Sequence, residues 1–161
     1  MALPSHLILV GEKQGAIKGS CTQKGREGTI LVQGFDHEVS IPRDPQTGLA
    51  TGKRVHHPLT ILKAVDKSSP LLYMALTSGE HMKSVEIKWY RINEKGQEDH
   101  YFTTKLSDAI IVSMRPWMKN CLDPAFAQFG DMEDVSFTYR KITWRWEKDG
   151  VESEDDWSMP R

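Results

Sequence analysis

The sequence predicts a mainly β protein: a compact antiparallel β-barrel of two packed sheets, with one short α-helix over about residues 70–78 and a long extended loop over 43–58. Three observations carry this. Apolar residues recur with period two, the mark of a ribbon buried on one face, because successive side chains on a strand point to opposite sides. Turn residues divide these runs at short intervals. Only one segment carries both a start and a stop signal for a helix. At 161 residues the chain reads as a single domain, 1–161, long enough to bury about two-thirds of its unfolded surface.

The elements follow in order. Short strands are expected over 6–10 and 15–22, after which Gly25 and Gly28 punctuate "KGREG". In "TILVQGFDHEVSI" (29–41), Leu31, Phe35, Val39 and Ile41 line one face and Asp36, Glu38 and Ser40 the other. His37 shares the apolar face and reads as a hydrogen-bonded, partly buried histidine. A strand over 58–65 precedes "DKSSPLLYMALTSGEH" (66–81), the helical segment. There Ser69 is the expected N-cap and Pro70 sits at N1, where its missing N–H costs nothing. Leu71, Leu72, Ala75 and Leu76 form the apolar stripe, and Gly79 ends it.

Beyond the helix, "KSVEIKWYRI" (83–92) alternates Val85, Ile87 and Trp89 with Glu86 and Lys88. The turn "EKGQ" (94–97) makes a hairpin with a strand over 100–106. "SDAIIVSM" (107–114) is apolar on both faces, as in a strand covered on each side. "EDVSFTYRKITWRWE" (133–147) runs Val135, Phe137, Tyr139 and then Ile142, Trp144, Trp146, a change of parity. A β-bulge near Arg140–Lys141, or a strand crossing between sheets, restores one buried face. From about 147 a short acidic tail is expected, either solvated or set against a basic patch on a neighbouring copy. It holds six acids against Lys148 and Arg161, a charge of −4 within a chain whose net charge is −1.

The segment "RDPQTGLATGKRVHHP" (43–58) needs its own account. It imitates a phosphate loop, but Gly48 and Gly52 are one residue too close, Arg54 stands where the hydroxyl belongs, and Val55 to Pro58 cannot open a helix. Its adjacent histidines, His56 and His57, point to opposite faces of an extended chain and so do not chelate one ion. Loops of this length without packing of their own are uncommon in a compact domain and are usually functional. An extended arm needs partners for its backbone, and a neighbouring subunit offers them.

Composition excludes several classes. A pI near 6.6 argues against a general nucleic-acid binder. No run approaches the eighteen or so apolar residues of a membrane-spanning helix. "MALPSHLILVG" lacks the basic start and the long apolar core of a cleaved signal peptide. Cys21 and Cys121 are read as two reduced thiols from a cytoplasmic pool. No Gly-x-Ser-x-Gly elbow, clustered histidines or carboxylate in an apolar run is present, so no catalytic residue, metal ligand or cofactor site is expected. The alternative readings are a carbohydrate-binding β-sandwich module stacking sugars on Trp144 and Trp146, or a small metal-dependent β-barrel enzyme. Packing within a core or between subunits is the preferred role for the two tryptophans.

The order of these segments resembles the haemolysin-coregulated protein family, the tube subunits of the type VI secretion system. "LILVGEKQGAIKGS", "REGTILVQGFDHEVSIP", "GKRVHHPLTI", "DKSSPLLYMALTSGEHMKS", "GQEDHYFTTKLSDAIIVS", "DPAFAQF" and "MEDVSFTYRKITWRW" carry the resemblance over nearly the whole chain. It implies a structural, non-enzymatic subunit forming homo-hexameric rings that stack into a hollow tube. Implied partners are the spike protein, the contractile sheath and baseplate, and small effector proteins in the lumen, with no nucleic acid and no membrane insertion. It also implies export to the medium or a target cell without a cleaved signal peptide, from a chain with no room for a fused effector domain. In this family the extended loop packs on a neighbour. Thr47, Gly48, Leu49, Thr51, Gly52, Lys53, Arg54, Val55, His56 and His57 are therefore the expected subunit-contact residues.

Overall fold

The computed structural model describes residues 1–160. Its elements are β1 (Ser5–Gly11), β2 (Gly15–Ile17), β3 (Ile30–Val32), β4 (Gly34–Asp36), β5 (Val39–Ser40), β6 (Val55–His56) and β7 (Leu59–Ala64). After these come the helix α1 (Ser69–Ser78), β8 (His81–Ile92), β9 (Glu98–Ser107), β10 (Ala109–Trp117), β11 (Met132–Thr138), β12 (Lys141–Trp146) and β13 (Val151–Asp156). A 3-10 turn, Pro124–Phe126, lies in the loop ahead of β11.

The fold is the mainly β, antiparallel barrel that the alternation predicts. Its two layers belong to one eleven-stranded sheet that curls into a half-barrel. β8 is the spine, with β1 along one edge and β9 along the other. From β9 the sheet continues to β12 and β13, and from the start of β8 through β10 and β11 to β7 and β4. Inside, Leu7, Ile30, Ile61, Val85, Ile87, Leu106, Phe137 and Ile142 are wholly buried, and Leu72 of α1 closes the core. Full burial of side chains of this size contributes about 1.5–3 kcal/mol each, which makes the barrel the stable body of the molecule.

Two corners bend the sheet. Asp108 is the one non-glycine residue with positive φ among those described, at 52°, and there β9 turns into β10. Its carboxylate accepts from His81 Nδ1 at 2.8 Å. The second corner is Tyr139–Arg140, where β11, paired with β10 and β7, gives way to β12, paired with β9 and β13. This crossing is the source of the parity change. Val135, Phe137 and Tyr139 face the core before it, and Ile142 after it.

The helix starts one residue before the predicted position. Ser68 is the cap and Ser69 the first helical residue, because the Ser69 hydroxyl is bound elsewhere. It accepts from Lys63 Nζ at 3.1 Å and the Asp66 N–H at 3.1 Å, and donates to Glu133 Oε1 at 2.6 Å. Lys63 also pairs directly with Glu133, and neither side chain is more than 1% exposed. The pair ties the start of α1 to β7 and β11. Gly79 closes the helix in the left-handed region, φ 66°, where a side chain would be strained.

Three expectations need correction. The strand over 15–22 is only Gly15–Ile17. The run 29–41 breaks into β3, β4 and β5 with different partners, so it has no single apolar face: Ile30 and Val32 are buried, Leu31 is exposed, Phe35 is 37% exposed but meets Trp89 edge-on, and Val39 and Ile41 line the groove beside Trp144. Alternation read along the whole run does not register where the chain leaves one strand pair for the next. The acidic tail is not a loose end: Val151–Asp156 pairs along the whole of β12 as an edge strand, with Val151 to Glu154 exposed to solvent as expected. Arg145 meets Glu152, and Lys141 reaches Glu154 at 2.7 Å, so opposite charges face each other across the pair. Arg161 lies outside the described residues.

Candidate subunit-contact arm

The 43–58 segment is an arm on a very short stem. β5 and β6 share two residue pairs, Val39 with His56 and Ser40 with Val55. Further out, the Thr51 N–H donates to Pro42 O at 2.9 Å, and Arg43 bridges to Ala50. The tip turns on Asp44, whose carboxylate accepts from the Gln46 N–H at 2.7 Å, and on Gly48 at φ 72°. Asp44 side chains make such turns by bonding the backbone two residues on. An isolated two-stranded ribbon of this size is marginal in water, so contacts outside the ladder must hold it.

The structure divides the ten expected contact residues into two groups. Thr47, Gly48, Leu49, Thr51, Gly52 and Lys53 lie exposed at the tip, and Val55 and His57 are exposed on the stem. Leu49 stands 68% exposed, a large apolar side chain with no cover from its own chain. Arg54 and His56 turn the other way. His56 is buried and His57 is not, as neighbours on an extended strand require.

Arg54 and His56 meet the end of β13. Arg54 Nε donates to Asp155 Oδ2 at 2.6 Å, and its Nη2 donates to the carbonyls of Asp156 and Met159 at 2.9 and 3.1 Å. His56 Nε2 donates to the same Asp155 oxygen at 2.7 Å, and its Nδ1 lies 2.7 Å from the Tyr139 hydroxyl. His37, at the other root of the arm, places Nε2 2.7 Å from that hydroxyl too. The half-buried, hydrogen-bonded state expected of His37 is thus observed, with Tyr139 as its partner. The Arg54 hydrogen bond holds the Asp155 carboxyl below the usual carboxylate range, with His56 adding to it against the opposing effect of burial. Burial, then the nearby Asp155 charge, push the Tyr139 hydroxyl up, so it stays protonated. Burial, then His56 and His57, lower the His37 imidazole.

The tryptophans are engaged in packing. Trp144 lies against the core, and with Val39, Ile41 and Arg54 it lines an open groove between the arm and β13. Trp146 meets the Tyr101 ring edge-on at 5.7 Å and carries Arg91 at 5.1 Å from its centroid. Among the described residues no three His, Cys, Asp or Glu side chains are grouped to hold a metal ion, both cysteines are free, and no helix is long and apolar enough to cross a membrane.

A curled antiparallel half-barrel with one capping helix and a projecting arm defines the class. The family described as "Type VI secretion system effector, Hcp" matches residues 9–146. This chain belongs to the Hcp family of the type VI secretion system. It is 52% identical to the "Major exported protein" of Pseudomonas aeruginosa, with 99% of this chain and 98% of that protein covered. Among solved structures it resembles one described as Hcp protein, at a TM-score of 0.90 and 35% identity over 98% of this chain and 99% of that one. The secreted protein Hcp3 of Pseudomonas aeruginosa superposes at a TM-score of 0.80 with 44% identity, covering 96% of this chain and 97% of that one.

Sequence reasoning found the arm and the apolar run beside it. It missed Tyr139, Asp155 and Trp157 as partners of the arm, because they lie 83 to 102 positions away from the residues they touch. Opposite charge on the arm and in the tail was the available signal.

Proposed function

We propose that the chain is the tube-forming subunit of a type VI secretion machine. Six copies close a ring, and rings stack into a hollow tube. Contraction of the surrounding sheath, seated on its baseplate, drives the tube and its spike outward. Small effector proteins travel in the lumen, and the subunit itself performs no catalysis.

The observation that carries this reading is the set of exposed apolar side chains on the arm and its stem. Leu49 is 68% exposed at the tip, Val55 is 38% exposed on the outward side of the stem, and Val39 and Ile41 are 40% and 47% exposed in the open groove beside Trp144. Large apolar side chains left uncovered in one neighbourhood mark a contact surface. A specific contact needs about 800 Å² from each partner. The exposed tip from Thr47 to Lys53 and the groove beside the stem supply part of that to a neighbouring copy. Family membership supports the same assembly.

The burial of β1 supports export without cleavage inside the barrel. Leu7 and Leu9 of β1 are 0% and 1% exposed in the middle of the core, so removing a leader past residue 15 removes a strand of the barrel. The name of the relative from Pseudomonas aeruginosa supports release from the cell.

Negative-stain microscopy of the purified protein tests the assembly, with sixfold rings the expected image. Mass spectrometry of culture supernatants tests the export. The expected species begins at Met1 or Ala2 and is lost in a sheath-deficient strain. A monomer at every concentration, or equal release without the sheath, overturns the proposal.

A further inference from the structure

Tyr139 sits at the second corner of the sheet with its hydroxyl between His37 and His56, one from each root of the arm. The tail beyond β13 folds over this point. The Trp157 indole N–H donates to Tyr139 O, and its ring lies tilted over His56 at 5.7 Å. Arg54 spans from the arm to Asp155, Asp156 and Met159. The arm's own ladder of two pairs is too short to set its direction.

We propose that His37, Tyr139, His56, Asp155 and Arg54 form a latch through which the C-terminal strand fixes the direction in which the arm leaves the barrel. The chemistry orders the protons. An ionised carboxylate only accepts, so His56 Nε2–H donates to Asp155. In a neutral His56 the remaining nitrogen, Nδ1, accepts the Tyr139 O–H, and the phenol oxygen then accepts from His37 Nε2–H. If His56 gains a proton, the order reverses, with Nδ1–H donating to the phenol and the phenol donating to His37. With both histidines charged, the Tyr139 proton has no acceptor within the chain. A second extra proton therefore costs the latch a hydrogen bond. Every bond in the latch joins the arm to the barrel corner or the tail, so displacing the tail removes the grip of Arg54 and Asp155 and leaves the arm on Tyr139 alone.

This inference goes beyond the tube reading and does not rest on it, because every contact is within one chain. Hydrogen–deuterium exchange on Asp155→Asn and Tyr139→Phe tests it. Native mass spectrometry of the same samples allows species of equal subunit number to be compared. Uptake across residues 38–57 is expected to rise about tenfold or more in both variants, with β8 and β9 unchanged, as for a local opening. If either variant instead exchanges throughout the barrel, Arg54→Lys decides. It keeps the charge and loses the two-sided grip on Asp155 and the tail carbonyls, and the arm alone is expected to quicken. Arm uptake equal to that of the parent in the variants that stay folded overturns the latch, whether or not rings form.

Discussion

Two polar clusters join distant parts of this chain, and they differ in depth. Lys63 and Glu133 lie beneath the start of α1 with side chains at most 1% exposed. Arg54 and Asp155 lie at the foot of the arm, where the Asp155 side chain is 23% exposed. The inner cluster is a closed set: Lys63 also has the Ala64 carbonyl at 3.0 Å and Asp66 Oδ1 at 3.2 Å. The outer one ends in a histidine pair and a phenol that can change their proton order. Burial makes the inner pair a permanent fastening, because breaking it strands a charge in the core. Water beside the outer set screens its charges and can replace its bonds, which suits a joint that moves.

The largest expected effect comes from breaking the inner cluster. Lys63→Ala leaves Glu133 buried and unpaired and is expected to lose about 3–5 kcal/mol of stability in urea unfolding. Replacing both partners, Lys63→Met with Glu133→Leu, should restore most of that loss, since a well-packed apolar pair of similar volume is often neutral or better. A double variant as unstable as the single one would mean that the hydroxyl of Ser69 and the helix start depend on the charges themselves.

Acid should separate the two regions next. The His37 imidazole is depressed from its ordinary 6.5, so its contribution is present above that value and is lost as pH falls through its lower folded value. Asp155 is a depressed carboxyl, whose contribution is present above its ordinary 3.8 and lost as pH falls further. Both signs loosen the arm in acid. His37 faces His56, His57 and Asp36, and Asp155 faces Arg54 and His56, so the response belongs to the set. Amide exchange followed from pH 7 downward, corrected for intrinsic rates, should show the 38–57 arm opening before the barrel. Simultaneous opening would make the outer cluster as much a part of the body as the inner one.

The smallest effect belongs to the outer face of β12 and β13. Arg145→Ala removes contacts to Glu147 and Glu152 at 3.3 and 3.1 Å between largely exposed groups. Thermal unfolding should show no measurable shift, as is common for exposed ion pairs. A clear loss would mean that β13 is held by its charges more than by its ladder.

Legibility in the sequence followed the same division between body and arm. Period two located the strands of the barrel, and Pro70 with Gly79 located the helix, because burial and backbone geometry act over a few residues. The crossing at Tyr139–Arg140 was visible as the parity change between Phe137 and Ile142. β13 was not visible, since "VESEDD" has no apolar alternation and becomes a strand only by pairing along β12. The inward side of β3 was not visible either. Leu31 and Ile30 are equally apolar, and only the pairing of β3 with β1 decides which one points inward. The latch joins residues about a hundred positions apart, and no local rule reaches that far.

The claim on which the account turns is that the arm joins subunits while the barrel folds without it. Ile41 and Arg54 follow the Ser40–Val55 pair across the stem, so residues 42–53 can be replaced by an Asn-Gly turn that keeps the stem, Arg54 and the latch. Native mass spectrometry and negative-stain microscopy of this variant beside the parent make the test. The account predicts a folded monomer with a cooperative thermal transition and no rings. Intact sixfold rings from the shortened chain would contradict it.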